Sequence, residues 1–155
     1  MFETFFLSPE MVCNPLVAEI ISAGHHLSEN GPCYGTISAR YGNRMVITGR
    51  RVNLGVIGVD DTVEIADYDP VRSVVLAIGP CMPSAATLLH WLLLRRKNIY
   101  AVVHVYKAVD MPPDELVTLK QILADIKKNN SINLESSRLA VGLTVATALE
   151  ALQCK

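Results

Sequence analysis

Residues 83–108, PSAATLLHWLLLRRKNIYAVVHVYKA, contain the pattern from which the fold can be worked out. Ser84 precedes an apolar run that ends in the basic residues 95–97, which is typical of a helix because a hydroxyl caps the first turn and cations favour the last. Residues 99–105 are almost continuously apolar, as in a buried strand. The pattern therefore predicts a helix over 85–97, followed by a strand that carries His104 near its end.

The segments on either side of this stretch predict further helices and strands. Toward the N-terminus we expect an irregular lead-in over 1–9, a helix over 15–28, hairpin strands at 34–40 and 44–48, a loop at 50–55, and strands at 62–66 and 73–78. Toward the C-terminus we expect a helix over 114–128, short strands at 132–134 and 139–141, and a helix from Thr144 to Leu152. This order predicts a single α/β domain over 1–155, with a mixed sheet and helices on its faces.

Composition limits the classes of function. Of the 155 residues 50% are hydrophobic, and this excess could lie in a subunit interface or in buried strands. A net charge of -1 gives no case for nucleic acid or an anionic membrane, and no apolar run reaches the ~20 residues that span a bilayer. The N-terminal MFETFFLSPE carries an acid where a signal peptide has basic residues, and the four cysteines include no C-x-x-C pair. We therefore expect a cytoplasmic protein with reduced thiols.

Five motifs occur in a fixed order along the chain: GTISAR at 35–40, ITGRR at 47–51, PSAA at 83–86, AVVHVY at 101–106, and ESS at 135–137 followed by VG at 141–142. In this order and spacing they resemble the motifs of the class II aldolase/adducin family, over about residues 16–152. The resemblance implies a three-layer α/β/α fold with a central mixed, mainly antiparallel sheet. It also implies a homo-oligomer, with a tetramer as the expected size.

The same resemblance implies that the chemistry of the family has been lost. Its enzymes hold a divalent metal, usually zinc, with three histidines, and use a glutamate as acid and base to make or break carbon–carbon bonds. Here only His104 matches a metal ligand, while Tyr106 and Ser136 stand at the other two ligand positions and Ala86 stands at the glutamate. One histidine does not make a zinc site, and proton transfer from carbon lacks its base. The expectation is a domain that binds no cofactor, or zinc or another divalent metal if it is an enzyme.

An anion site is the second feature that the resemblance implies. Thr36, Arg50, Arg51 and Ser84 stand where family members bind a phosphate, so a small phosphorylated or anionic ligand is a candidate partner. Two guanidinium groups in one loop could clamp such an anion. The alternative is an exposed loop that happens to carry two basic residues.

Three other residues are candidates for replacement chemistry. Cys33 and Cys81 flank loops that line the family's cleft, so they could approach His104 and form a site of two thiolates and one imidazole. Tyr106 could donate a proton or act as a weak metal ligand. The alternatives are small buried thiols, a tyrosine that packs with its hydroxyl bonded, and a histidine bonded to a neighbour. Two functions follow: a diverged domain that acts through assembly or anion binding, or a metal-dependent lyase acting on a phosphorylated sugar or related carbonyl compound.

Overall fold

A computed structural model gives the structure of the chain and describes residues 2–107, 115–126, 129–134 and 136–153. The predicted helix boundaries at 114 and 127–128, and Glu135 of the fifth motif, lie outside these residues. The described elements, in chain order, are β1 (Glu3–Ser8), α1 (Leu16–Leu27), β2 (Tyr34–Tyr41), β3 (Arg44–Thr48), β4 (Thr62–Asp69), β5 (Val74–Ile78), α2 (Thr87–Leu94), β6 (Ala101–Tyr106), α3 (Glu115–Asp125), β7 (Ser131–Asn133), β8 (Ser137–Gly142) and α4 (Val145–Gln153).

The strands form one sheet in the order β1-β5-β4-β3-β2-β6-β8-β7. Every neighbouring pair is antiparallel except β1 and β5, which run parallel at one edge. The predicted hairpin of β2 and β3 is confirmed, and its turn is tight because Gly42 adopts the left-handed conformation, with φ +59°. The sheet is therefore mixed and mainly antiparallel, as predicted.

Two hydrophobic clusters lie on opposite faces of this sheet. One packs α2 and α3 on odd-numbered residues of β3, β4 and β5, such as Ile47 and Val63, and on Val102 of β6. The other packs α1 and α4 on the alternate side chains, such as Ile37 and Val103. Because successive side chains of a strand point to opposite faces, strands β3, β6 and β8 contribute apolar side chains to both clusters. The three-layer α/β/α architecture is thus confirmed, and no helix among the described residues is long and apolar enough to cross a bilayer.

Strands β1 and β4 and helix α2 differ from the sequence prediction. The predicted irregular lead-in is wrong, because β1 pairs with β5 from Glu3 opposite Val74 onward. Strand β4 continues to Asp69, beyond the predicted turn at 67, since an irregularity between Ile65 and Asp67 lets its pairing with β5 resume.

Helix α2 is also shorter than predicted. It begins at Thr87, because the preceding residues are held in a turn in which the Ser84 hydroxyl accepts a hydrogen bond from the Ala86 amide at 3.1 Å. Ser84 therefore stabilises the approach to the helix and does not cap it. The helix ends at Leu94, so the basic residues 95–97 follow the last turn. The cap predicted at Thr144 is confirmed, since its hydroxyl accepts a hydrogen bond from the Thr147 amide at 3.1 Å.

Candidate functional site

Polar side chains collect on the α2 face of the sheet, where β2, β6 and β8 lie side by side. Thr36 of β2 stands directly opposite His104 of β6, and Ser137 of β8 stands opposite Tyr106. Residues two apart on a strand share a face, so Ser38 lies beside Thr36, and Tyr106 beside His104. With Ser84 and His90 from the α2 region, these residues are called the polar cluster below: Thr36, Ser38, Ser84, His90, His104, Tyr106 and Ser137. All but Tyr106, which is partly exposed, are buried.

Three hydroxyl groups of the polar cluster bond to one another. The Thr36 hydroxyl lies 2.5 Å from the Ser84 hydroxyl and also hydrogen-bonds to the Tyr106 phenol. Burial raises the pKa of Tyr106, and the hydrogen bonds from Thr36 and Ser84 partly offset that rise. The phenol is therefore protonated at neutral pH and holds the two smaller hydroxyls in place.

Two histidines form the other half of the polar cluster. His90 Nδ1 lies 2.6 Å from the Ser38 hydroxyl, and His104 Nε2 lies 2.9 Å from the Ser137 hydroxyl. Their rings stack with centroids 5.8 Å apart and planes 26° from parallel, and Tyr106 meets the His104 ring edge-on at 4.9 Å. His90 Nε2 and His104 Nδ1 are buried and have no hydrogen-bond partner within the described part of the chain.

Both imidazoles are held in the neutral form. Burial lowers the pKa of His104 to about 3, and burial together with the neighbouring His104 puts the pKa of His90 well below its ordinary value. A neutral imidazole can bind a metal through a free nitrogen, but zinc takes four ligands. The polar cluster has two free imidazole nitrogens, and its remaining members carry hydroxyl groups. Across the described residues, no group of three histidine, cysteine, aspartate or glutamate residues could hold a metal ion.

The two candidate cysteines do not join His104. Cys33 packs against the hydrophobic cluster on the α1 face, whereas Cys81 packs against the cluster on the α2 face. Burial raises the pKa of the Cys33 thiol, and burial with the charges of Asp61 and Asp60 raises the pKa of Cys81 to about 11. A metal ligand must be a thiolate, which both environments disfavour. The predicted site of Cys33, Cys81 and His104 is therefore not formed in this structure.

The loop that carries Arg50 and Arg51 is tied to the start of the α2 region. The Ser84 amide donates to the Thr48 carbonyl at 3.2 Å, and the Arg50 amide donates to the Met82 carbonyl at 3.0 Å. Both arginine side chains are exposed, and Arg51 has a positive φ of 57°. The anion-site candidates are thus divided: Thr36 and Ser84 are buried in contact with each other, while the arginines lie at the surface of the neighbouring loop.

The sequence prediction named Thr36 and Ser84 as anion-site residues, and His104 and Tyr106 as residues at metal-ligand positions. The structure places all four in one cluster. The prediction did not identify the two serine–histidine pairs. It placed Ser136 at a metal-ligand position, whereas the buried partner of His104 is Ser137. One pattern in the sequence could have indicated the polar side chains that form these pairs. In two antiparallel neighbours, polar residues at alternate positions, 36 and 38 against 104 and 106, indicate a polar strip on one face of the sheet.

Comparisons with known proteins agree with the fold. Residues 18–111 match the family described as the class II aldolase and adducin N-terminal domain, and no curated protein matches the sequence. An L-fuculose 1-phosphate aldolase structure is similar at 16% identity and a TM-score of 0.72, covering 92% of this chain and 82% of the other. L-fuculose-1-phosphate aldolase from Thermus thermophilus is similar at 17% identity and a TM-score of 0.67, with 89% of each chain covered. The N-terminal class II aldolase domain of a Thermoplasma acidophilum protein is similar at 16% identity and a TM-score of 0.64, covering 93% of this chain and 92% of the other.

Proposed function

Because the chain belongs to the family of the class II aldolase and adducin N-terminal domain, we propose that it is a diverged, non-catalytic member that acts through homo-oligomeric assembly. The proposal has two parts, the loss of the metal-dependent aldol chemistry and the use of the fold as an assembly unit.

The polar cluster is the observation that carries the first part. Metal-assisted cleavage next to a carbonyl needs a cation with an open position and a base that removes a proton. In the polar cluster the hydroxyl groups are engaged with one another or with an imidazole: Thr36 with Ser84 and Tyr106, and Ser137 with His104. Among the described residues, one nitrogen of His90 and one of His104 stay without a partner, which is too few for a zinc site. The cluster contains no carboxylate, and its phenol and imidazoles are held uncharged. This arrangement favours a structural role for residues that stand at the family's catalytic positions.

An uncovered part of the sheet supports the second part. On the α1 face, Val74, Leu76 and Ile78 of β5 are only half-buried, and Phe5, which pairs with Leu76 from edge strand β1, is 60% exposed. The neighbouring Leu7 is 52% exposed. These five residues are called the open face. An apolar surface of this kind marks an interaction site, and an unpaired strand edge beside it offers backbone donors and acceptors. A second copy of the chain is the partner that we propose, with a tetramer as the expected assembly.

The mass of the protein in solution tests this proposal directly. The wild-type protein is expected to be an oligomer by light scattering, and Phe5→Lys is expected to dissociate it, because an ammonium group would be buried without a partner. Val71→Lys is the matched control, since Val71 is 93% exposed in a turn outside the open face. A monomeric wild-type protein, or an oligomer that Phe5→Lys leaves intact, contradicts the assembly part.

Elemental analysis of protein purified without chelators tests the loss of chemistry. We expect no stoichiometric metal in the wild-type chain. The combined changes Ala86→Glu, Tyr106→His and Ser136→His should create zinc binding if these positions correspond to those of the family. One metal ion per wild-type chain that disappears in His104→Gln would instead favour the alternative function, a metal-dependent lyase acting on a phosphorylated sugar or related carbonyl compound.

Binding of a small anion at Arg50 and Arg51 is a second candidate function. The backbone hydrogen bonds between residues 48–50 and residues 82–84 support it, because they hold the loop that carries the two exposed arginines beside the turn at Ser84. Inorganic phosphate, titrated by calorimetry, should bind the wild-type protein and bind the double variant Arg50→Gln, Arg51→Gln much more weakly. Equal heats from the two proteins would remove this candidate.

A further inference from the structure

A cleft of about 770 Å³ lies at the end of the sheet away from Tyr106, where β6 begins and β8 ends. Its floor is apolar and is formed by the buried side chains of Ile99, Ile126 and Val141. Polar and basic residues form the rest of the lining: Arg96, Lys97, Asn98, Asn130 and Thr147, together with Gly142 and Leu143. The volume is in the range of about 300–1,000 Å³ that is typical of small-molecule sites.

The charged side chains that the structure describes in the cleft lining are all cationic. The chain as a whole carries a net charge of -1, yet the described lining includes two cationic side chains and no carboxylate. Within the part of the chain that the structure describes, the side chains of Arg96 and Lys97 form no ion pair or hydrogen bond. Two unneutralised cations beside one concave surface attract an anion.

Backbone hydrogen bonds join the segments that line the cleft. The Tyr100 amide, next to Ile99, donates to the Gly142 carbonyl at 3.0 Å, and the Val141 amide donates to the Asn130 carbonyl at 2.9 Å. Gly142 lets helix α4 approach closely, because a Cβ atom there would lie 2.5 Å from the Thr147 hydroxyl. The cleft is therefore largely formed before any ligand binds, which lowers the entropy cost of binding.

We propose that this cleft is a binding site for a small organic anion that has an apolar body and a phosphate or carboxylate group. The apolar part covers Ile99, Ile126 and Val141, and the anionic group lies against Arg96 and Lys97. The amides of Asn98 and Asn130 supply hydrogen bonds to polar substituents between the two parts. The site is separate from the polar cluster and from the loop of Arg50 and Arg51.

Phenyl phosphate is a suitable probe, because it combines an aromatic body with a phosphate group. It would be titrated into ¹⁵N-labelled full-length protein and followed by amide chemical shifts, with phenol and inorganic phosphate titrated in parallel. We expect shifts at Ile99, Val141 and Gly142, and weaker binding of both fragments than of phenyl phosphate. Added salt should weaken the binding of phenyl phosphate, since the cleft is open to solvent.

Variants of the two cations in the cleft lining complete the test. Arg96→Gln and Lys97→Gln should each weaken phenyl phosphate binding by about tenfold, because each removes a charge-assisted hydrogen bond. Lys120→Gln, on the exposed side of α3, and the double variant Arg50→Gln, Arg51→Gln should leave it unchanged. The proposal is overturned if the shifts lie outside the cleft, if phenol or inorganic phosphate binds as tightly as phenyl phosphate, or if only the double variant loses binding.

Discussion

Acid should destabilise this domain through the two buried histidines. In the unfolded chain an imidazole titrates near the ordinary pKa of 6.5, whereas in the folded chain burial lowers the pKa of His104 to about 3. The unfolded state therefore binds more protons between these two values, and the free energy of unfolding falls as the pH drops below 6.5. The stability that depends on a neutral His104 is fully present above pH 6.5 and is lost progressively toward pH 3.

The size of the effect follows from the shift. When the pH falls from 7.5 to 4.5, it ends about two units below the pKa of the unfolded imidazole, while His104 in the folded chain stays neutral. At about 1.4 kcal/mol per unit, His104 alone therefore lowers the free energy of unfolding by about 2.7 kcal/mol. His90 is fully buried and its pKa is also lowered, so its contribution has the same sign. A loss of this size is a large part of the stability of an ordinary domain, about 5–15 kcal/mol.

Urea unfolding followed by circular dichroism at several pH values measures this loss. Carboxylates also titrate in acid, so the informative quantity is the difference in pH slope between the wild-type protein and His104→Gln, whose amide can still bond to Ser137. The variant should lose less stability than the wild-type protein between pH 7.5 and 4.5, even if it is less stable at neutral pH. His26→Gln is the control, because His26 is exposed and pairs with Glu29. Equal slopes for wild type and His104→Gln would refute the reasoning.

Three further predictions concern single positions. Gly35→Ala should lower the melting temperature strongly, because the added Cβ would lie 2.2 Å from the His104 carbonyl oxygen and β2 must move away from β6. Thr144→Ala should cost about 1 kcal/mol in urea unfolding, since it removes the acceptor for the Thr147 amide at the start of α4. Alkylation of Cys81 by iodoacetamide, followed by mass spectrometry, should accelerate with pH according to a pKa of about 11, whereas an ordinary profile would contradict the burial of this thiol.

Most of the fold could be predicted from the sequence where the signal is local. The hairpin of β2 and β3 has its turn residues between two β-rich runs, and the cap at Thr144 precedes a helical segment. Strand β1 could not be recognised in the same way, because its partner β5 lies about seventy residues away and an apolar segment alone does not reveal a parallel neighbour. Pairing with a distant strand, and not local propensity, determines whether such a segment forms a strand.

The candidate site shows the same limit. Motif order identified Thr36, Ser84, His104 and Tyr106 as site residues, but it could not show that the hydroxyls of Thr36, Ser84 and Tyr106 bond to one another. Whether Ser136 or Ser137 faces α2 depends on the register in which β8 pairs with β6, and a shift of one residue reverses that face. The apolar sequence around His90 is consistent with its burial in the core. Its hydrogen bond to Ser38, however, could not be predicted without knowing the distance between the helix and the sheet.

The parallel pairing of β1 with β5 also has a consequence for synthesis on the ribosome. Residues 5–7, Phe-Phe-Leu, are made before β5, which is completed about seventy residues later, a delay of several seconds at ~5–20 residues per second. During this time the nascent chain exposes an aromatic segment that has no strand to pair with. Folding of this edge must therefore wait for β5, and a chaperone that shields the β1 segment of the emerging polypeptide would raise the yield of folded protein.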